Sequence, residues 1–321
     1  MVIDPQLQRV LDILKQAGRP SYDVLTPIEA RALYRQSCAV FQPPPPEVAE
    51  CRDMSVPGPR GAIPIRLYRG RNTASDRPLP ALIYFHGGGW TIGDLETHDY
   101  VCRTLANKAN CLVAAVDYRL APEHKFPAGV EDCTAATRVL AERATEFGID
   151  ANRIAVGGDS AGGNLATVMA HLARDGALPP PCFQLLIYPA VDQSLQQASY
   201  ERVTEGFVLT TTAVRWFQGQ YFADERDKAD WRASPLRAPE FRGLAPAFVL
   251  TVEHDPLCDE GQDYARVLEA NGVRVSRLHV NDQMHGCFTM SGAMRAAAAM
   301  LDICAVMLRC AFGPDGAPQQ T

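Results

Sequence analysis

Two short apolar runs in this chain each break into glycine, and that pairing constrains the fold more than any other feature. Leu79 to Phe85 runs into His86-Gly87-Gly88-Gly89, and Ile154 to Val156 leads into Gly158-Asp159-Ser160-Ala161-Gly162. A buried strand ending in a glycine loop presents backbone N–H groups that need acceptors. A strand turning sharply into a helix at Gly-x-Ser-x-Gly presents a serine oxygen on a strained elbow, and its neighbours must be small because the flanking elements approach closely. From average composition, Gly-x-Ser-x-Gly alone arises by chance in roughly one chain in ten, and the His-Gly-Gly-Gly run in roughly a few per thousand. The strand before and the helix after Ser160 are what give the weaker pattern its weight.

The rest of the chain supplies the frame. Ile63, Ile65 and Leu67 alternate as in a strand, and Leu112 to Val116, Phe183 to Tyr188, Ala247 to Val252 and Val273 to His279 read as further strands. Helical patterns fall at Thr97 to Asn110, Gly129 to Phe147, Ala161 to Arg174, Asp259 to Asn271 and from about Gly292 onward. Short apolar strands alternating with helices predict a mostly parallel central sheet covered by helices on both faces.

Two stretches stand apart from that rhythm. In residues 1–50, Ile3, Leu7, Val10, Leu11 and Leu14 share one helix face, Thr26-Pro27-Ile28-Glu29 has capping-box spacing, and Pro43 to Pro46 forms a stiff connector. Residues 190–239 separate two strands by too long a stretch for a compact sheet. They hold Phe207, Trp216, Phe217, Tyr221, Phe222 and Trp231, with a helical pattern from Thr211 to Ala223. They read as an inserted helical cap packing with the N-terminal helices. The catalytic domain is then split into 51–189 and 240–312, and residues 313–321 read as a disordered tail.

Composition narrows the function. The 321 residues carry a formal net charge of −6 with acids and bases interspersed, which speaks against a nucleic-acid partner. Met1 to Arg19 lacks the plan of a signal peptide. Ala296 to Leu308 is too short to span a membrane and contains Asp302, so no membrane span is expected. The ten cysteines form no Cys-x-x-Cys and read as reduced core thiols of a cytoplasmic protein. Cys287, two residues after a histidine, is the thiol placed nearest a site. No His-Glu-x-x-His or Cys/His cluster indicates a metal, and neither metal nor cofactor is expected.

Attack on an acyl carbonyl needs a nucleophile, a base oriented by an acid, and donors for the oxyanion. In a strand-turn-helix scaffold these follow the order Ser, acid, His. After Ser160 the histidines are His171, His254, His279 and His285. His171 lies in the helix behind the serine, His254 abuts the acid candidate, and His279 sits in a strand. His285, in the loop Asn281-Asp282-Gln283-Met284-His285-Gly286, is the predicted base. Asp255, just beyond a strand and before Pro256, is the predicted acid, with Glu253, Asp259 and Asp282 as rivals. The N–H groups of Gly87, Gly88 and Ala161 are the predicted oxyanion donors, and His86 is read as a loop-ordering residue.

These residues resemble the bacterial hormone-sensitive-lipase-like family of α/β-hydrolase esterases. The resemblance rests on His86-Gly87-Gly88-Gly89-Trp90, Asp117-Tyr118-Arg119-Leu120-Ala121-Pro122-Glu123, Gly158-Asp159-Ser160-Ala161-Gly162-Gly163, Asp255-Pro256-Leu257-Cys258-Asp259-Glu260-Gly261 and His285-Gly286. It implies an α/β-hydrolase fold with a helical cap, and a serine carboxylesterase with Ser160 as nucleophile, Asp255 as acid and His285 as base. Its substrate class is small short- to medium-chain acyl esters, and family members are often homodimers through sheet-edge contacts. An amidase or carbamate hydrolase on the same triad, or a non-catalytic ligand binder, are the alternative functions. Trp90, Asp159, Tyr188, Trp216, Phe217 and Cys287 are candidates for the pocket wall, and Cys287 stands where the family often has an aromatic.

Overall fold

The computed structural model describes residues 2–74 and 76–313; the tail expected at 313–321 lies outside them from residue 314. The chain opens with α1 (Pro5–Gln16) and α2 (Pro27–Phe41), followed by β1 (Glu50–Gly58), β2 (Gly61–Arg69) and β3 (Leu79–Phe85). Next come α3 (Asp99–Ala109), β4 (Leu112–Val116), α4 (Ala128–Glu142), β5 (Ile149–Asp159), α5 (Ala161–Arg174) and β6 (Phe183–Ile187). After α6 (Ser199–Arg202) and α7 (Thr211–Tyr221), the chain ends with β7 (Ala247–His254), α8 (Cys258–Ala270), β8 (Val275–Met284) and α9 (Arg295–Phe312).

The eight strands form one sheet in the order β1-β2-β4-β3-β5-β6-β7-β8. β1 pairs antiparallel with β2, and β2 with β4, while every pairing from β4 through β3, β5, β6 and β7 to β8 is parallel. The period of two sorts the central strands between two cores. Ala81, Ile83 and Phe85 join Leu165, Val168 and Leu268 of α5 and α8 on one face. Leu82 and Tyr84 join Val101, Leu105, Leu301 and Leu308 of α3 and α9 on the other. β3 and β4 are apolar throughout because both of their faces are covered.

The N-terminal helices start where the caps predict. Thr26 Oγ1 accepts from the Glu29 N–H, while the Glu29 carboxylate accepts from the Thr26 N–H at 2.9 Å. The two stretches outside the sheet rhythm meet each other, since the Tyr22 ring lies 5.3 Å from that of Phe217 and 6.5 Å from that of Trp216. Three elements differ from the sequence reading. β1 was not foreseen, because Glu50, Cys51, Arg52 and Asp53 are exposed on an outer strand. The helix at 129–147 ends at Glu142 and finishes as a 3₁₀ turn, Ala144–Phe147. β8 runs through Asn281 and Asp282 to Met284, so the predicted loop is reduced to the turn at His285-Gly286.

Among the described residues, no helix is long and apolar enough to cross a membrane. The purpose of the topology is visible at the carboxyl ends of the parallel strands. β3 delivers the glycine loop, β5 delivers Ser160, β7 delivers Asp255 and β8 delivers His285.

Candidate active site

Ser160 sits between β5 and α5 with φ 56° and ψ −118°, a region an L-residue occupies at a cost of roughly 1–3 kcal/mol. The surroundings enforce it. The Ser160 N–H donates to the Ile187 carbonyl at 2.9 Å, and a Cβ on Gly162 would collide with the Phe85 carbonyl. One buried large aliphatic side chain contributes roughly 1.5–3 kcal/mol, so the two cores easily offset this strain.

The three residues expected to act together meet in space. His285 Nε2 lies 2.8 Å from Ser160 Oγ, and His285 Nδ1 lies 2.7 Å from Asp255 Oδ2. Asp255 is wholly buried, and its other oxygen accepts from the Leu257 N–H at 2.8 Å. The carboxylate therefore holds the imidazole proton on Nδ1 and leaves Nε2 as an acceptor toward the serine. The rivals are engaged elsewhere. Glu253 pairs with His279 at 3.1 Å, and Asp259 with Arg202 at 2.8 Å.

The glycine loop differs from expectation by one residue. The Gly87 N–H is already donated to Asp159 Oδ1 at 3.0 Å, so it is not available to an oxyanion. Gly88 and Gly89 follow with φ 119° and 56°. A Cβ on the first would strike the Ile92 carbonyl, and on the second the Phe217 ring. Their N–H groups, and that of Ala161 at the start of α5, have no protein acceptor among the described residues. All three residues line a cavity of ≈ 80 Å³ that contains Ser160 and His285.

The other predicted wall residues divide. Trp90, Asp159 and Phe217 line the cavity. Trp90 stacks on Tyr221 at 4.4 Å, nearly parallel. Asp159 also accepts from Tyr84 Oη at 2.7 Å. Burial would raise the Asp159 carboxyl pKa, but His98 and these hydrogen bonds hold it below the usual range. Tyr188, Trp216 and Cys287 do not line the cavity. Tyr188 packs its ring 4.5 Å from that of His285, on the core side. Trp216 lies one residue around α7 from Phe217 and packs edge-on to it, and Cys287 is buried in the core. Sequence reasoning missed Gly89, Tyr22, Tyr34, Gln193, Val208, Leu209, Val214 and Gln218, all in the lining. Of these only Gly89 lay in a recognisable motif.

His86 orders the loop as read. Its Nδ1 donates to the Gly87 carbonyl at 2.8 Å, and its ring stacks on Tyr118 at 4.4 Å. Tyr118 Oη in turn donates to the His86 carbonyl at 2.7 Å, and Arg119 binds Asp132 through two nitrogens. These contacts give the Asp117–Glu123 segment its role. Glu260, in the same motif as Asp255, accepts from the Val191 N–H and from Tyr200 Oη, both at 2.7 Å, and so ties the 190–239 stretch to α8.

Burial drives two histidine pKa values down to about 4, those of His86 and His171. His171, on α5, packs against Trp231 and Phe241, and its Nε2 meets Tyr264 Oη at 3.1 Å. A depressed histidine pKa leaves the native state under-protonated relative to the unfolded chain. Its stability contribution is complete above pH ~6.5 and is lost as pH falls toward 4. Each group is worth up to about 3 kcal/mol over that window. Urea unfolding at pH 7 and pH 4.5 should show the loss, and His171→Gln should shrink the difference. An equal difference in the variant would remove His171 as a contributor.

Residues 82–289 match the family model described as the alpha/beta hydrolase fold. The carboxylic ester hydrolase LipN of Mycobacterium tuberculosis is 42% identical over 290 residues, 88% of this chain and 76% of that protein. An ethyl acetate hydrolase of Pseudomonas putida is 38% identical over 92% of this chain and 95% of its own length. Among solved structures, an ester hydrolase from the metagenome of Lake Arreo, complexed with a bipyridine phosphonate derivative, superposes with a TM-score of 0.94. It is 41% identical over 98% of this chain and 100% of that one. The chain belongs to the α/β-hydrolase fold family, in its hormone-sensitive-lipase-like branch.

Proposed function

We propose that the protein is a serine carboxylesterase that hydrolyses small esters through an acyl-enzyme on Ser160. The observation that carries this reading is the Ser160–His285–Asp255 chain, with links of 2.8 and 2.7 Å, beside three backbone N–H groups that lack protein acceptors among the described residues. As Ser160 Oγ bonds to the ester carbonyl carbon, its proton passes to His285 Nε2. The carbonyl oxygen gains the charge and is held by the N–H groups of Gly88, Gly89 and Ala161. Asp255 stabilises the imidazolium through Nδ1–H. Collapse of the tetrahedral intermediate breaks the ester C–O bond, and His285 Nε2–H protonates the departing alcohol. Water then attacks the acyl carbonyl, giving its proton to His285, and the acid leaves as Ser160 is restored.

The N-terminal helices and residues 190–239 act as a cap that sets acyl size. Tyr22 and Tyr34 come from the first and Val208, Leu209, Val214 and Phe217 from the second, all lining the cavity. Apolar side chains dominate this lining, which supports an acyl chain as the group held there. Hydrolysis of p-nitrophenyl esters from acetate to palmitate tests the reading, with an expected maximum at short to medium chains. Turnover of none of them by folded protein, with a matched amide cleaved instead, would replace the esterase by an amidase.

Phe217 and Trp216 separate wall from bystander. Phe217→Ala is expected to move the optimum toward longer chains. Trp216→Ala is expected to leave the profile's shape unchanged. An unchanged profile in Phe217→Ala would remove α7 from the acyl-binding wall.

A further inference from the structure

We propose that Glu253, Cys258 and His279 form a site for one zinc-class divalent cation, separate from the triad. One ligand atom from each lies within 4.8 Å of the others. They come from three elements: Glu253 from the end of β7, Cys258 from the first residue of α8, and His279 from β8. A carboxylate, a thiol and an imidazole are a donor set for zinc, cobalt(II) or cadmium, not for magnesium or calcium. Tetrahedral zinc holds sulfur at about 2.3 Å and nitrogen or oxygen at about 2.0–2.2 Å, which places the ligands about 3.3–3.6 Å apart. The imidazole and carboxylate already stand at 3.1 Å, and the thiol lies within 4.8 Å of both.

The surroundings also supply what a ligating imidazole needs. His279 Nδ1 lies 2.9 Å from the Oγ1 of buried Thr251, a partner that orients a ligating imidazole and accepts its remaining proton. Cys258 Sγ faces Gln262 Nε2 at 3.2 Å. Arg202 is committed to Asp259 at 2.8 Å. Glu253 and His279 are each about a quarter exposed, at 27% and 28%, and a hollow of ≈ 250 Å³ opens beside His279. The partial exposure of the carboxylate and the imidazole leaves both open to solvent; Arg277, which also lines the hollow, is paired with Glu269 at 3.1 Å. Binding exchanges the Cys258 S–H proton and the His279 Nε2 proton for bonds to the metal, the imidazole proton moving to Nδ1, with no change of oxidation state.

The test is a cobalt(II) titration of the full chain in a background carrying Cys51→Ser and Cys310→Ser, since those two thiols are exposed. A thiolate-to-cobalt absorption band that saturates at one equivalent, and that zinc abolishes by displacement, is expected. Cys258→Ser should remove the band. His279→Ala and Glu253→Gln should each weaken binding more than tenfold, and Thr251→Val by roughly 10–100-fold. Circular dichroism in chelator establishes that each variant is folded. If Cys258→Ser does not fold, Glu253→Gln at its partly exposed position carries the test. No band, a band that survives Cys258→Ser, or one indifferent to both His279→Ala and Glu253→Gln would overturn the site.

Discussion

Replacing Ser160 by alanine is expected to lower kcat on p-nitrophenyl acetate by about 10⁶. Among the described residues the side chain makes one hydrogen bond, to His285 Nε2 at 2.8 Å, and the backbone bond that fixes the elbow, to the Ile187 carbonyl, is untouched. Ser160→Ala should therefore melt within a few degrees of the wild type while losing nearly all turnover. The residue left behind is not zero, because binding and the N–H groups of Gly88, Gly89 and Ala161 still stabilise the transition state for attack by water, as in other triad enzymes stripped of their nucleophile. An organophosphonate should add one covalent equivalent to the wild type and none to the variant. A variant that retains more than about one per cent of activity would place the nucleophile elsewhere, since the expected loss is near 10⁶.

What could be read in advance depended on range. β3, β4 and α5 have the bounds that their apolar runs and glycine breaks dictate, because both faces of those strands are covered and the pattern is continuous. β1 and the end of β8 escaped because outer strands carry polar residues such as Arg52, Asp53, Asn281 and Asp282, which in sequence look like loop. The glycine loop was recognisable but its register was not. Which N–H remains for a ligand depends on Asp159, 72 residues away, which takes that of Gly87. Phe217 and Trp216 differ by one step of helix phase, about 100°, and no local signal says which of the two points inward. Glu253, Cys258 and His279 share no spacing motif, and only the pairing of β7 with β8 brings them together.

Replacing Asp255 by asparagine should lower kcat by about 10⁴ with little change in KM. Asp255 is wholly buried behind His285 and does not line the cavity, so substrate binding should be spared. The amide's orientation is not free to choose. The Leu257 N–H needs an acceptor, which turns the asparagine oxygen toward it and the NH₂ toward His285 Nδ1. An NH₂ there demands a lone pair on Nδ1, so the imidazole proton moves to Nε2 and faces Ser160 Oγ as a donor. The serine then has no base, though every heavy atom stays in place. Asparagine and alanine both remove the counter-charge, but alanine would in addition open a void and strip the Leu257 N–H of its acceptor, effects that the near-isosteric asparagine avoids. The partition between kcat and KM is the measurement. A kcat loss under tenfold in Asp255→Asn would mean that the tautomer is set by another group, and Glu253 and Asp259, the acids flanking the loop, would become the candidates.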